Sequence, residues 1–132
     1  MPSIFSRIVS GELPCYKVAE NDYCLAFLDI NPIKEGHTLV IPKVEVDYIF
    51  DLEDKIFLEL HLFAKKVSHA IKKVVPCLRI GVAVIGLEVP HAHIHLIPLT
   101  SIHDLNFAKP KLKLTSEHMN ELAGKIARNY VP

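Results

Sequence analysis

Residues 51–75 constrain the fold more than any other stretch of the chain. Leu52, Ile56, Leu60, Phe63, Val67, Ala70 or Ile71, and Val74 recur at helical spacing, while Lys55, Glu59, Lys66 and Lys73 fall on a separate, solvated stripe. Asp51, Glu53 and Asp54 suit the positive N-terminus of such a helix, Lys72 and Lys73 suit its C-terminus, and Pro76 stops it. A long helix with one apolar stripe must lay that stripe against something, and the rest of the chain supplies strands.

Ser3 is a candidate N-cap for a short helix ended by Gly11. Tyr16–Glu20 and Tyr23–Leu28 read as strands joined at Asn21-Asp22, His37–Pro42 as a third, and Leu78–Ile85 and His91–Leu99 as two more. Thr115–Asn129 reads as a C-terminal helix; residues 100–114, with Pro110 and alternating lysines, carry no clear periodicity. The predicted class is α+β, a single domain over 1–132, with an antiparallel meander covered by the long helix.

Bulk properties exclude several functions. Fifteen basic and fifteen acidic residues leave no net charge, so no global field draws the chain to nucleic acid, and no stable nucleic-acid partner is expected. No apolar run reaches the roughly eighteen residues of a membrane span. Residues 1–7 lack a signal-peptide core, and a cytoplasmic location is expected. Cys15, Cys24 and Cys77 match neither a disulfide framework nor a zinc knuckle, and read as reduced structural thiols.

The eight histidines are not scattered evenly. In His91-Ala92-His93-Ile94-His95-Leu96 the three imidazoles alternate with apolar residues, so on a strand they share one face while Ala92, Ile94 and Leu96 face the core. Three readings fit. The first is a half-buried strand whose polar face happens to be histidine. The second is a metal site, with His37 as a further ligand; the outer Cα atoms are then about 13 Å apart, a stretched arrangement for one ion. The third is nucleophilic catalysis at phosphorus: His93 attacks, and His91 and His95 orient it and meet developing charge. A free imidazole with a pKa near 6.5 is largely neutral at pH 7, as attack requires.

The stretch resembles the His-φ-His-φ-His-φφ motif of the histidine triad (HIT) family. Ile4-Phe5-(x)2-Ile8-(x)2-Gly11-Glu12-x-Pro14, Ala26-Phe27-Leu28-Asp29-Ile30-Asn31-Pro32 and Gly36-His37-Thr38-Leu39-Val40-Ile41-Pro42-Lys43 resemble further landmarks of that family in the expected order. The resemblance implies an antiparallel sheet with a covering helix, and a homodimer sharing one continuous sheet. It implies a purine nucleotide or nucleotide conjugate as partner, cleavage at the α-phosphorus through a nucleotidyl intermediate on His93, and no cofactor or metal. It assigns His91, His95 and His37 to support of the reaction, Asp29 to the ribose hydroxyls, and Phe5, Ile8, Phe27 and Ile30 to the walls around the base.

The chain also departs from the pattern of the Hint-like branch. Leu87 and Glu88 stand where that branch carries Gln and Ser, which places Glu88 beside the expected phosphate, and Glu45 stands where a second histidine often follows Pro-Lys. These departures leave a competing expectation, a nucleotide-binding module with little turnover.

Overall fold

The computed structural model describes residues 2–132. The elements run in chain order as α1 (Ile4–Val9), β1 (Lys17–Glu20), β2 (Cys24–Leu28), β3 (Thr38–Pro42), α2 (Asp54–Val74), β4 (Arg79–Ala83), β5 (Ile94–Leu99) and α3 (Ser116–Asn129). Short 3-10 turns at Ile49–Asp51 and Ile102–Asp104 precede α2 and follow β5. Ser3 caps α1 as its position suggests, its hydroxyl accepting from the Ser6 N–H.

The expected antiparallel α+β architecture is present, but the sheet is not a plain meander. Its order is β1-β2-β3-β5-β4. After β3 the chain crosses the sheet through α2, descends at the far edge as β4, and returns as β5 between β4 and β3. Sequential reading cannot show this, because the β3–β5 pairing joins strands separated by the whole of α2.

The strand alternation divides the apolar residues into two layers. Ala26, Leu28, Val40, Ile94 and Leu96 pack against Leu60, Phe63, Val67 and Ile71 of α2 and against Met119, Leu122 and Ile126 of α3. The opposite face carries a smaller cluster, Phe5 of α1 with Leu25, Phe27, Leu39 and Ile41. Every residue of β2 and β3 is therefore buried. The second layer is what positions the histidines.

Candidate active site

Histidines 91, 93 and 95 lie on the face with the smaller cluster, while Ala92, Ile94 and Leu96 enter the main core. Only His95 is within a regular strand; β5 starts at Ile94, and His91 and His93 lie on its extended approach, where the Ala92 N–H donates to the Val46 carbonyl. The triad is thus not one strand's flat face, and Phe5 is what packs the approach. Its ring meets His93 edge-on at 5.1 Å and His91 at 5.9 Å.

His37 and Asp29 reach the same face by register. His95 is the partner of Leu39, so His37, two residues from Leu39, is its diagonal neighbour. The Asp29 N–H donates to the His37 carbonyl, continuing the β2–β3 ladder by one step beyond Leu28 and Thr38. Asp29, His37 and His95 therefore converge although they are far apart in sequence.

The hydrogen-bond partners fix the tautomer of each ring. A carbonyl can only accept, so His91 Nε2–H donates to the Pro42 carbonyl at 2.8 Å, and His91 Nδ1 accepts from the Ser3 hydroxyl at 2.9 Å. His93 Nδ1–H donates to the His91 carbonyl at 2.7 Å. That leaves the lone pair of His93 Nε2, with no hydrogen-bond partner among the described residues. The Ile33 N–H donates to His37 Nδ1 at 3.2 Å, so the proton of His37 is on Nε2, which donates to His95 Nδ1 at 2.9 Å. His95 in turn carries its proton on Nε2.

Burial keeps these supporting rings neutral. Desolvation pushes His37 down to about 4 against the opposing pull of the Asp29 carboxylate. It pushes His95 down to about 3, with His37 and His93 adding to the effect. Burial also lowers His91. The 3.5 Å approach of His37 Nε2 to Asp29 Oδ2 is accordingly a contact between a carboxylate and a neutral imidazole. A flanking imidazolium in the resting site is disfavoured by this burial.

Donor atoms of Asp29, His37 and His95 lie within 4.8 Å of one another, close enough to invite a cation. The tautomers oppose one. An ion needs the Nε2 lone pair of His37, but the Ile33 N–H occupies Nδ1, so Nε2 must hold the proton.

The remaining sequence candidates divide. Phe5 and Phe27 are buried and contact each other at 5.6 Å, so they wall the triad from beneath. Ile8 is half-buried against them, and Ile30, beside Asp29, is 69 % exposed. Asp29 Oδ1 accepts from the Asn31 N–H at 2.8 Å, so one oxygen holds the turn and the other faces His37. Glu88 is exposed and is not among the residues lining the cavity that opens onto His93. That cavity, about 440 Å³, is walled by Tyr48, Phe50, Phe57, His61 and Leu87.

Sequence reasoning did not bring Phe107, Lys111, Ser3 or Glu45 to the site. Phe107, from the stretch without periodicity, lies edge-on over His95 at 4.8 Å and near His37 at 6.1 Å, and Lys111 stands over its outer side. Ser3 and Glu45 connect to His91 across more than forty residues of sequence. The one available signal was Glu45 itself, a departure from the pattern that the sequence otherwise resembles.

Known proteins share this sequence pattern and this fold. Residues 10–102 match the model of the HIT domain. A HIT-like protein of Borreliella burgdorferi is 39 % identical, covering 96 % of each chain. The adenosine 5'-monophosphoramidase of Schizosaccharomyces pombe is 34 % identical over 96 % of this chain and 97 % of its own. Among solved structures, a Hit-like protein from Bartonella henselae superposes with a TM-score of 0.83 at 29 % identity, covering 96 % of this chain and 95 % of that one.

Proposed function

The chain belongs to the HIT domain family, and on that premise we propose that it is a purine-nucleotide hydrolase or nucleotidyl transferase acting at the α-phosphorus through His93. The observation that carries this reading is the state of the His93 ring. Its Nδ1 proton is tied to the His91 carbonyl, which leaves the Nε2 lone pair for attack. The N–P bond forms as the bond from phosphorus to the leaving group breaks, and the electron pair departs with that group. His95 Nε2–H is available to hydrogen-bond the departing atom or the phosphoryl oxygen, its ring held by His37. Water then cleaves the phosphoramidate, releasing a nucleoside monophosphate and restoring His93.

Asp29 is proposed to hold the ribose, with the base against Ile8, Phe27 and Ile30. The partial exposure of the Asp29 carboxylate and the exposure of Ile30 support that placement. No metal is required in this scheme, for the tautomeric reason given above. A homodimer is proposed from the apolar edge that β4 leaves uncovered. A cytoplasmic location is proposed from the sequence; no helix among the described residues is long and apolar enough to cross a membrane.

One observation favours the second reading, a binding module without turnover: Leu87, 88 % exposed at the cavity, offers no side-chain donor to a phosphate or leaving group. A single experiment separates the two. Mixing the protein with an adenosine phosphoramidate and quenching within one turnover should give a nucleoside-monophosphate adduct on His93 by mass spectrometry. The His93→Ala protein should bind the nucleotide within a few-fold of wild type and turn over nothing, since only the transition-state bond is lost. Full turnover by His93→Ala would overturn the nucleophile; tight binding with neither adduct nor product would establish the binding module.

A further inference from the structure

Glu45 is a departure from the family pattern that the proposed reaction does not use, yet it ends a chain of hydrogen bonds that leads to His93. Its Oε1 accepts from the Ser3 N–H and, at 2.7 Å, from the Ser6 hydroxyl. Ser3 is buried, and its hydroxyl lies 2.9 Å from His91 Nδ1; the Ser6 hydroxyl is 3.4 Å from the same nitrogen. Two hydroxyls thus compete for one acceptor. Because Ser6 gives its only hydroxyl proton to Glu45, the donor to His91 is Ser3. With Nδ1 satisfied in this way, the His91 ring, whose Nε2 proton the Pro42 carbonyl already requires, is held from both sides. The ring and backbone of His91 are then held, and the His91 carbonyl is what orients His93.

We propose that Glu45, acting through Ser6 and Ser3, is a positioning residue that anchors the start of α1, seats the Ser3 hydroxyl on His91 Nδ1, and so holds the His91 ring on the Pro42 carbonyl and aims the attacking nitrogen of His93. Every link is a donor meeting an acceptor with no ambiguity left: carboxylate, serine hydroxyls, His91 Nδ1, His91 Nε2 to Pro42, His91 carbonyl to His93 Nδ1. The device also ties α1 to the end of β3, so the N-terminal helix is part of the site and not only a lid on the second layer. The ordering needs an acceptor of two protons at position 45. The amide oxygen of glutamine can serve; alanine cannot, and an imidazole offers only a single lone pair.

The inference rests on His93 as nucleophile for its kinetic consequence, but not for its spectroscopic one. Nitrogen-15 NMR of imidazole-labelled protein should show His91 as the Nε2–H tautomer in wild type and in every variant, because the Pro42 carbonyl requires it. In Glu45→Ala, where two hydroxyls share one acceptor, and in Ser3→Ala, where the nearer donor is gone, the His91 Nδ1 signal should move and broaden, and in Glu45→Gln it should stay at its wild-type position. Single-turnover adduct formation should fall about tenfold in Glu45→Ala with KM within about twofold, and Glu45→Gln should restore most of the rate. Ser6→Ala, which removes the competing hydroxyl and leaves the Ser3 N–H on Glu45, should keep the His91 Nδ1 signal and most of the rate, and Ser3→Ala serves where Glu45→Ala fails to fold. An unchanged His91 Nδ1 signal in both Glu45→Ala and Ser3→Ala would overturn the proposal, and so would a changed signal with an unchanged rate. Absence of any adduct in wild type would instead count against His93 as nucleophile, while the Nδ1 measurement would still decide the role of Glu45.

Discussion

At the scale of single residues, the rings that support His93 are imidazoles that burial keeps neutral. His37 and His95 are buried, and burial holds them at about 4 and about 3, below the ordinary 6.5. In the unfolded chain both rings bind protons as the pH falls through about 6.5; in the folded chain they do not until it is far lower. Between those limits the unfolded state holds more protons, so stability rises with pH. It is fully present above about 6.5 and declines as the pH falls toward about 4. The carboxylates act elsewhere: Glu20 is lowered by its Lys43 and Lys17 partners, and Glu45 to about 2 by the Ser6 and Ser3 hydrogen bonds, so any stability they add is lost only below the ordinary carboxylate range. Urea unfolding from pH 7.5 to 4 should show the loss, and His37→Gln, with one titrating ring fewer, should show a shallower slope. A flat profile over that range would mean that the rings are not desolvated as described.

At the scale of elements, the site depends on how strands are entered. Gly36 has φ +90°, and a Cβ built there would sit 2.8 Å from Val75 Cγ2 and 3.2 Å from Pro98 Cγ. An alanine would therefore be strained in backbone and crowded in side chain at once, and the next residue is His37. Gly36→Ala should destabilise the fold by about 1–3 kcal/mol and lower turnover by displacing His37 from His95; unchanged urea midpoint and rate would show that the loop accommodates a side chain. This dependence on a neighbouring helix end explains what could be read from the sequence. The period of α2 is local, and so are the alternation through Ala92, Ile94 and Leu96 and the Ser3 cap; each was legible. The insertion of β5 between β3 and β4 is decided by packing between distant strands, so the edge position of β4 was not. Residues 100–114 hid their order because it comes from one buried carboxylate: Asp104 accepts from the Thr100 and Ser101 N–H groups and the Thr100 hydroxyl. That clasp turns the chain back after β5, before Phe107 covers His95. The link from Ser3 to His91 spans 88 residues and leaves no local pattern at all.

At the scale of the whole molecule, one edge of the sheet is left apolar. β4 is the last strand in the order and has no partner on its outer side among the described residues. Val82 pairs in register with Leu96, so it lies on the helix face, yet it is 59 % exposed; Leu58 and Leu62 of α2, on the same face of the sheet, are 65 % and 50 % exposed. A monomer would present an open strand edge bordered by bulky apolar side chains, an arrangement prone to nonspecific pairing. A second copy would satisfy both features at once: two β4 edges would join antiparallel about a two-fold axis, and the exposed α2 residues of each copy would meet across it. The cavity beside His93 borders this edge through Val84 and Ile85, so association would also change how open the site is to water. Light scattering at micromolar concentration should give twice the chain mass. Leu62→Glu, which places a charge in the patch without touching the core, should give the single-chain mass with unchanged far-ultraviolet circular dichroism. A monodisperse wild-type monomer would refute the dimer, and a Leu62→Glu protein that remains dimeric would move the interface away from α2.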